Sequence, residues 1–304
     1  MATARHGIFP ATFDSLEMTQ IVDFAIRSGN TKSIVTPGGT VDPKAVITAM
    51  ADPEISVSTG NLGVLSSVSP TAGLAISSSA TVRFQKRLDG GTFATSTSHV
   101  TVSSTKGFLY PTRLTAQQDD ANGARLELIY KPLSSSGQAA PLTVNTSVNL
   151  DAATAPAFTN LYFLGPLYIG GSEVTGLTGV TVDFGINYNP IRAGGDVFAA
   201  EGSIIARNPS ITVTLLKTAQ LATQGLFGTA YTSTGVACYF VQGVHGSTRT
   251  AYANSAHVKI SSVTGDMTAD DVSVAGETDA TISYMIRPSG ATPTLAVSVG
   301  TAIP

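Results

Sequence analysis

Apolar and polar residues alternate along much of this chain, and a period of two marks a β-strand with one buried face. The segment Gly179 to Tyr188 places Val180, Val182, Phe184, Ile186 and Tyr188 on one side, with Thr181, Asp183, Gly185 and Asn187 on the other. Ala80 to Arg87 sets Val82 and Phe84 against Thr81, Arg83 and Gln85, and Ala124 to Lys131 sets Leu126, Leu128 and Tyr130 against Arg125, Glu127 and Ile129. Ser210 to Leu215, Val236 to Val241, Ala256 to Ser261 and Thr281 to Arg287 follow the same rule, with Pro288 ending the last. Thr294 to Val299 alternates enough to add one more strand.

Turn residues separate these segments. Asp89-Gly90-Gly91, Asn122-Gly123, Gly170-Gly171, Gly194-Gly195 and Gly265-Asp266 supply the positive φ angles that tight hairpins need. Helical candidates are short. Asp14 to Arg27 carries Leu16, Ile21, Phe24 and Ala25, although Val22 and Ile26 fit a strand equally well. Pro43 to Met50 suits one or two turns opened by Asp42, and Thr218 to Leu226 contains the helix formers Ala219, Leu221, Ala222 and Leu226. Leu133 to Ala140 and Asp151 to Ala157 read as long loops. No period of 20 to 50 residues is visible, which disfavours a solenoid or propeller. The pattern predicts an all-β fold, mainly an antiparallel sandwich or barrel with one or two short helices. The expected organisation is an N-terminal arm or extension over 1–50, a core over 51–290 and a C-terminal arm over 291–304.

Composition sharpens this picture. Charged residues are only 12% of the chain, about half the share of an ordinary soluble domain, while Ser and Thr make up roughly a quarter. Such a surface is covered by hydroxyls or buried against neighbours. A net charge of −3 provides no basic footprint for tight nucleic-acid or anionic-membrane binding. Met1 to Pro10 lacks the apolar run of a signal peptide and no stretch is apolar enough for a transmembrane helix, so the chain is expected to fold in a cytoplasm. The single cysteine, Cys238, lies in an apolar run and is expected to be a buried small hydrophobe.

Catalytic chemistry is poorly supplied. His6, His99, His245 and His257 are scattered and read as structural. Asp119-Asp120 and Asp270-Asp271 read as solvated turns, with a weak cation site as the alternative. The glycine pairs lack a P-loop lysine, no Gly-x-Ser-x-Gly elbow occurs, and Asn145-Thr146-Ser147 has no secretory context to make it a glycan acceptor. Trp is absent, which weakens a stacked-ring sugar platform. The expectation is a non-enzymatic protein without cofactor or metal.

The order of segments resembles the tail tube (major tail) proteins of long-tailed bacteriophages. The resemblance runs from Ala51-Asp52-Pro53-Glu54-Ile55-Ser56-Val57-Ser58-Thr59 through Gly73-Leu74-Ala75-Ile76 and Phe84-Gln85-Lys86-Arg87-Leu88-Asp89-Gly90-Gly91. It continues in Gly165-Pro166-Leu167-Tyr168-Ile169-Gly170-Gly171, Gly179 to Tyr188, Arg207-Asn208-Pro209-Ser210-Ile211-Thr212-Val213-Thr214 and Ala280 to Pro288. It implies two packed sheets with one short helix, hexameric rings with a continuous inner barrel, and a virion-tail location after assembly in the host cytoplasm. Implied partners are copies of the chain, tail terminator, tape-measure and distal tail proteins, and genomic DNA sliding unread past Ser, Thr, Asp and Glu; no membrane is involved. The hairpin Arg83, Phe84, Gln85, Lys86, Arg87, Leu88, Asp89, Gly90, Gly91, Thr92 and Phe93 is the candidate inter-subunit arm. Three alternatives stay open: another virion component, such as a capsid-decorating or baseplate protein; a β-sandwich adhesion or glycan-binding module; and, least favoured because the motifs are missing, a hydrolase on a β scaffold.

Overall fold

The structure, a computed structural model, describes residues 5–8, 10–36, 38, 42, 44–87, 94, 99–149, 160–216, 229–231, 235–244, 249–273, 281–288 and 295–304. The strands are β1 (Arg5–Ile8), β2 (Ala11–Phe13), β3 (Leu16–Met18), β4 (Ile21–Arg27), β5 (Asn30–Val35), β6 (Ala45–Ala51), β7 (Glu54–Thr59), β8 (Leu74–Ile76) and β9 (Ala80–Arg87). They continue as β10 (His99–Ser104), β11 (Gly107–Gln117), β12 (Arg125–Pro132), β13 (Thr143–Val148), β14 (Asn160–Ile169), β15 (Ser172–Val174), β16 (Leu177–Asp183), β17 (Ile186–Ile191) and β18 (Glu201–Arg207). The last are β19 (Ser210–Leu215), β20 (Thr229–Tyr231), β21 (Val236–Val244), β22 (His257–Ser262), β23 (Gly265–Ser273), β24 (Thr281–Pro288) and β25 (Ala296–Thr301). One 3-10 turn, Leu62–Ser66, follows β7, and no helix of seven or more residues occurs among the described residues. The fold is all-β.

Three large antiparallel sheets hold the core. One runs β13-β10-β9-β2-β3, with β1 also on β9; a second runs β15-β14-β21-β22-β25; the third runs β20-β23-β24-β19-β16-β11-β12-β7-β4, with β8 also on β11. None of these described sheets closes into a barrel. Two ribbons, β5-β6 and β17-β18, stand apart from them. Phe13 of β2 meets Tyr130 of β12 at 5.3 Å and Phe24 of β4 meets Phe84 of β9 at 5.4 Å, so the first sheet packs face to face on one half of the third. Buried side chains from Ala11 to Leu295 form one large cluster, and Ala237, Tyr239, Val241 and Ile303 form a second.

The strand pairings repeat. Ile55↔Tyr130 and Val57↔Leu128 join β7 to β12, and Ile211↔Ile286 and Val213↔Tyr284 join β19 to β24, a displacement of 156 residues (211 less 55). Bulges recur as well: β4 slips against β7 between Ile21 and Asp23, and β16 slips against β19 between Leu177 and Gly179. Gly107↔Pro132 is matched by Gly265↔Pro288, and Val102↔Val144 by Ile260↔Val297. Strands β1 to β13 and β14 to β25 are therefore two versions of one sandwich, with β1 and β2 together equivalent to β14. The third sheet is the edge-to-edge union of the two versions, β8-β11-β12-β7-β4 from the first repeat and β20-β23-β24-β19-β16 from the second. The boundary between the repeats lies near 150–159, and neither 50/51 nor 290/291 coincides with it.

Several expectations change. Asp14 to Arg27 is a hairpin and a strand, not a helix: Asp14 turns β2 into β3 at φ 51°, and β4 pairs with β7. Pro43 to Met50 gives way to β6, whose alternating register with β5 outweighs the capping signal. Thr218 to Leu226, Asp151 to Ala157 and Asp89-Gly90-Gly91 lie outside the described residues. Gly179 to Tyr188 is not one strand, because Gly185 at φ 60° ends β16 and sends β17 into a separate ribbon. Gly265-Asp266 opens β23 instead of forming a turn. Gln85 is fully buried, against its expected place on a polar face.

Candidate assembly surface

The two repeats meet through unlike surfaces. Strand β11 is 11 residues long; Gly107 to Leu109 pair with β8, which leaves its far end free for the edge strand of the other repeat. There β16 joins it in the register Arg113↔Asp183, Leu114↔Val182, Thr115↔Thr181, Ala116↔Val180 and Gln117↔Gly179. Val180, Val182 and Leu114 are buried, so the join contributes apolar packing as well as a ladder of backbone hydrogen bonds.

Beyond Gly185 the β17-β18 ribbon lies over the first repeat. Tyr188 stacks on Phe108 with ring centroids 4.9 Å apart and planes 9° from parallel, and Tyr110 flanks both. Burial pushes the Tyr188 and Tyr110 phenols up to about 12. The chain between β17 and β18 grips the first repeat through its backbone: Ala51 N–H donates to the Val197 carbonyl at 2.9 Å, Ser134 N–H to Ala199 at 2.8 Å, and Phe198 N–H to Gly137 at 2.9 Å. Arg192 donates to the Ala51 carbonyl at 3.0 Å and stands 3.5 Å from the Asp52 carboxylate. Lys131 sits 3.0 Å from Asp52 and 2.9 Å from Glu54. Burial disfavours its ammonium, but the bonds to Glu54 and Asp52 outweigh that and hold its pKa above the ordinary lysine value.

Each of these surfaces has an equivalent that none of the described residues covers. The β5-β6 ribbon matches β17-β18, with Asn30↔Ala51 corresponding to Ile186↔Arg207 and Gly29 at φ 56° corresponding to Gly185. All of β5 is exposed, as is β6 up to its last residue, and Ile34, Val46 and Ile47 are each more than half exposed. Among the described residues strand β4 pairs only with β7, and no described strand lies along its outer edge. Ile26 on that edge is 39% exposed, whereas its equivalent Val182 is 0% exposed. Strand β23 carries β20 on Gly265 to Met267, and among the described residues no strand pairs with that edge beyond Met267.

The residues expected to act divide as follows. Arg83, Phe84, Gln85, Lys86 and Arg87 belong to β9, which pairs with β10, β1 and β2. Leu88, Asp89, Gly90, Gly91, Thr92 and Phe93 lie outside the described residues. His99 and His257 are both buried structural groups in equivalent places. The Nδ1 of His99 accepts from Lys86 N–H and that of His257 from Gln242 N–H, while each Nε2 faces a loop carbonyl, Ala94 or Ala251. Cys238 is buried, and burial pushes its thiol up to about 12. Asp120 closes a turn by accepting from Asn122, and Asp270-Asp271 belong to β23. Among the described residues, no group of three or more His, Cys, Asp or Glu side chains could hold a metal, and no helix is long and apolar enough to cross a membrane.

Sequence reasoning missed the internal duplication because it sought short periods. The available signal was His99-Val100-Thr101-Val102-Ser103-Ser104 against His257-Val258-Lys259-Ile260-Ser261-Ser262, and Pro53-Glu54-Ile55-Ser56-Val57 against Pro209-Ser210-Ile211-Thr212-Val213. Compared with known protein families and with curated proteins, the chain matches none.

Proposed function

We propose that this chain is a structural subunit that assembles with copies of itself into rings or tubes, in the manner of a bacteriophage tail tube. The observation that carries the reading is the union of the two repeats: one edge of a sheet joins a different edge of the next, and a ribbon reaches across the seam. A contact between unlike surfaces leaves each surface free at one end, so it propagates into a closed ring or an open filament. Low charge and an exposed apolar ribbon fit a surface that is meant to be covered.

On this reading the sheet shared by both repeats lines the channel. Its face away from the core bears the hydroxyls of Ser56, Ser58, Thr115, Thr181, Thr212 and Thr214, all partly exposed, which suits passage of DNA without capture. A ring of six sandwich positions would contain three chains, because each chain supplies two. Negative-stain microscopy of the purified protein at micromolar concentration tests the reading: rings or tubes with a central channel support it, and compact single particles across salt and concentration refute it.

A further inference from the structure

We propose that chains join by repeating their internal join: the outer β4 edge of one chain pairs antiparallel with the β23 edge beyond Met267 of a second copy, and the β5-β6 ribbon lies over that copy's second repeat. This deepens the assembly reading by naming both surfaces and their register.

The internal join supplies the template. Strand β8 covers Gly107 to Leu109 and leaves Arg113 to Gln117 for β16; strand β20 covers Gly265 to Met267, and among the described residues no strand pairs on that side with the equivalent stretch, from Asp271 onward. Equivalence of the repeats then places Asp271 opposite Arg27, Val272 opposite Ile26 and Ser273 opposite Ala25. These replace the internal pairs Arg113↔Asp183, Leu114↔Val182 and Thr115↔Thr181.

Charge decides that the occupant is a second copy. The internal register opposes Arg113 to Asp183; the proposed one opposes Asp271 to Arg27, with the signs exchanged and the attraction kept. A side chain of the wrong sign on either strand would set like charges opposite each other, which destabilises a ladder. The ribbon repeats the logic. Tyr188 stacks on Phe108 inside the chain, and their equivalents are Lys32 and Asp266, an aromatic pair exchanged for an ion pair. Lys32 is the one charge on the two ribbon strands, and both Lys32 and Asp266 are exposed. Arg27 is available, since its side chain is 72% exposed and meets Glu54 at 3.7 Å.

The experiment is a charge exchange read by sedimentation velocity over a concentration series. Arg27→Glu and Asp271→Lys should each weaken assembly at least tenfold while melting within a few degrees of the parent, and the double variant R27E/D271K should recover to within about threefold. Lys32→Glu, Asp266→Lys and their double variant provide an independent second cycle at exposed positions. Single variants that assemble like the parent, or double variants no better than the singles, overturn the proposal. Parent protein that joins in charge-dependent open chains but never forms rings or tubes keeps this contact and removes the tail-tube reading. Tubes indifferent to all four charges do the reverse, and a parent that stays monomeric overturns both.

Discussion

Asp14 illustrates how one side chain can hold a turn that its own type barely tolerates. Its backbone lies at φ 51°, where the equivalent position in the second repeat is Gly170 at φ 59°. Its carboxylate accepts from the N–H groups of Ser77, Ser78 and Ser79 and from the Ser78 hydroxyl, which ties the β2-β3 turn to the segment before β9. The Ser78 hydroxyl, followed by the backbone donors, holds the Asp14 carboxyl well below the usual carboxylate range. A depressed acid stabilises the fold above its unfolded pKa and loses that contribution as pH falls toward the folded value. Asp14→Asn should therefore cost about 1 kcal/mol at pH 7, limited by solvent screening, and the deficit should shrink below about pH 4. Chemical denaturation of both proteins across that range checks it. A deficit that grows on acidification would contradict the assignment.

At the scale of elements, the alternation of side chains was legible and the places where it stops were not. β9, β12 and β19 fall where period two put them, with Val82, Leu126 and Ile211 inward. The run from Gly179 to Tyr188 alternates without a fault, yet it breaks at Gly185, because one glycine with positive φ can turn a strand while leaving the pattern intact. A Cβ there would stand 2.1 Å from the Asn208 carbonyl oxygen, and one at Gly29 would stand 2.2 Å from that of Asp52. Gly185→Ala and Gly29→Ala should each destabilise by about 2–4 kcal/mol, measured by urea unfolding. The duplication was half legible. Strands that preserve only alternation look alike whether or not they are related, but His99 to Ser104 and His257 to Ser262 preserve chemistry as well. In both, a histidine ties a strand start to its neighbour, and the final serine hydroxyl donates two residues on, to Lys106 or to Thr264. The join between the repeats was not legible at all, since Arg113 and Asp183 become neighbours only through sheet pairing.

For the whole molecule, the central claim is that the surfaces used once inside the chain are used again between chains. The β5-β6 ribbon is the most direct handle, because a two-stranded ribbon exposed on both faces contributes little to a monomer's stability. Its root is held separately, by the Gly29 carbonyl accepting from Asp52 N–H and by Arg192 on Ala51. Replacing residues 31–49 with a short Gly-Ser turn should leave the melting temperature nearly unchanged and abolish assembly. The deciding measurement is sedimentation velocity of the intact chain and the ribbon-less variant, side by side, from low to high micromolar concentration. The account predicts that the intact chain forms species several times the 31.1 kDa protomer and that the variant sediments as a single chain throughout. Identical sedimentation of the two proteins, whether both assembled or both monomeric, would contradict it.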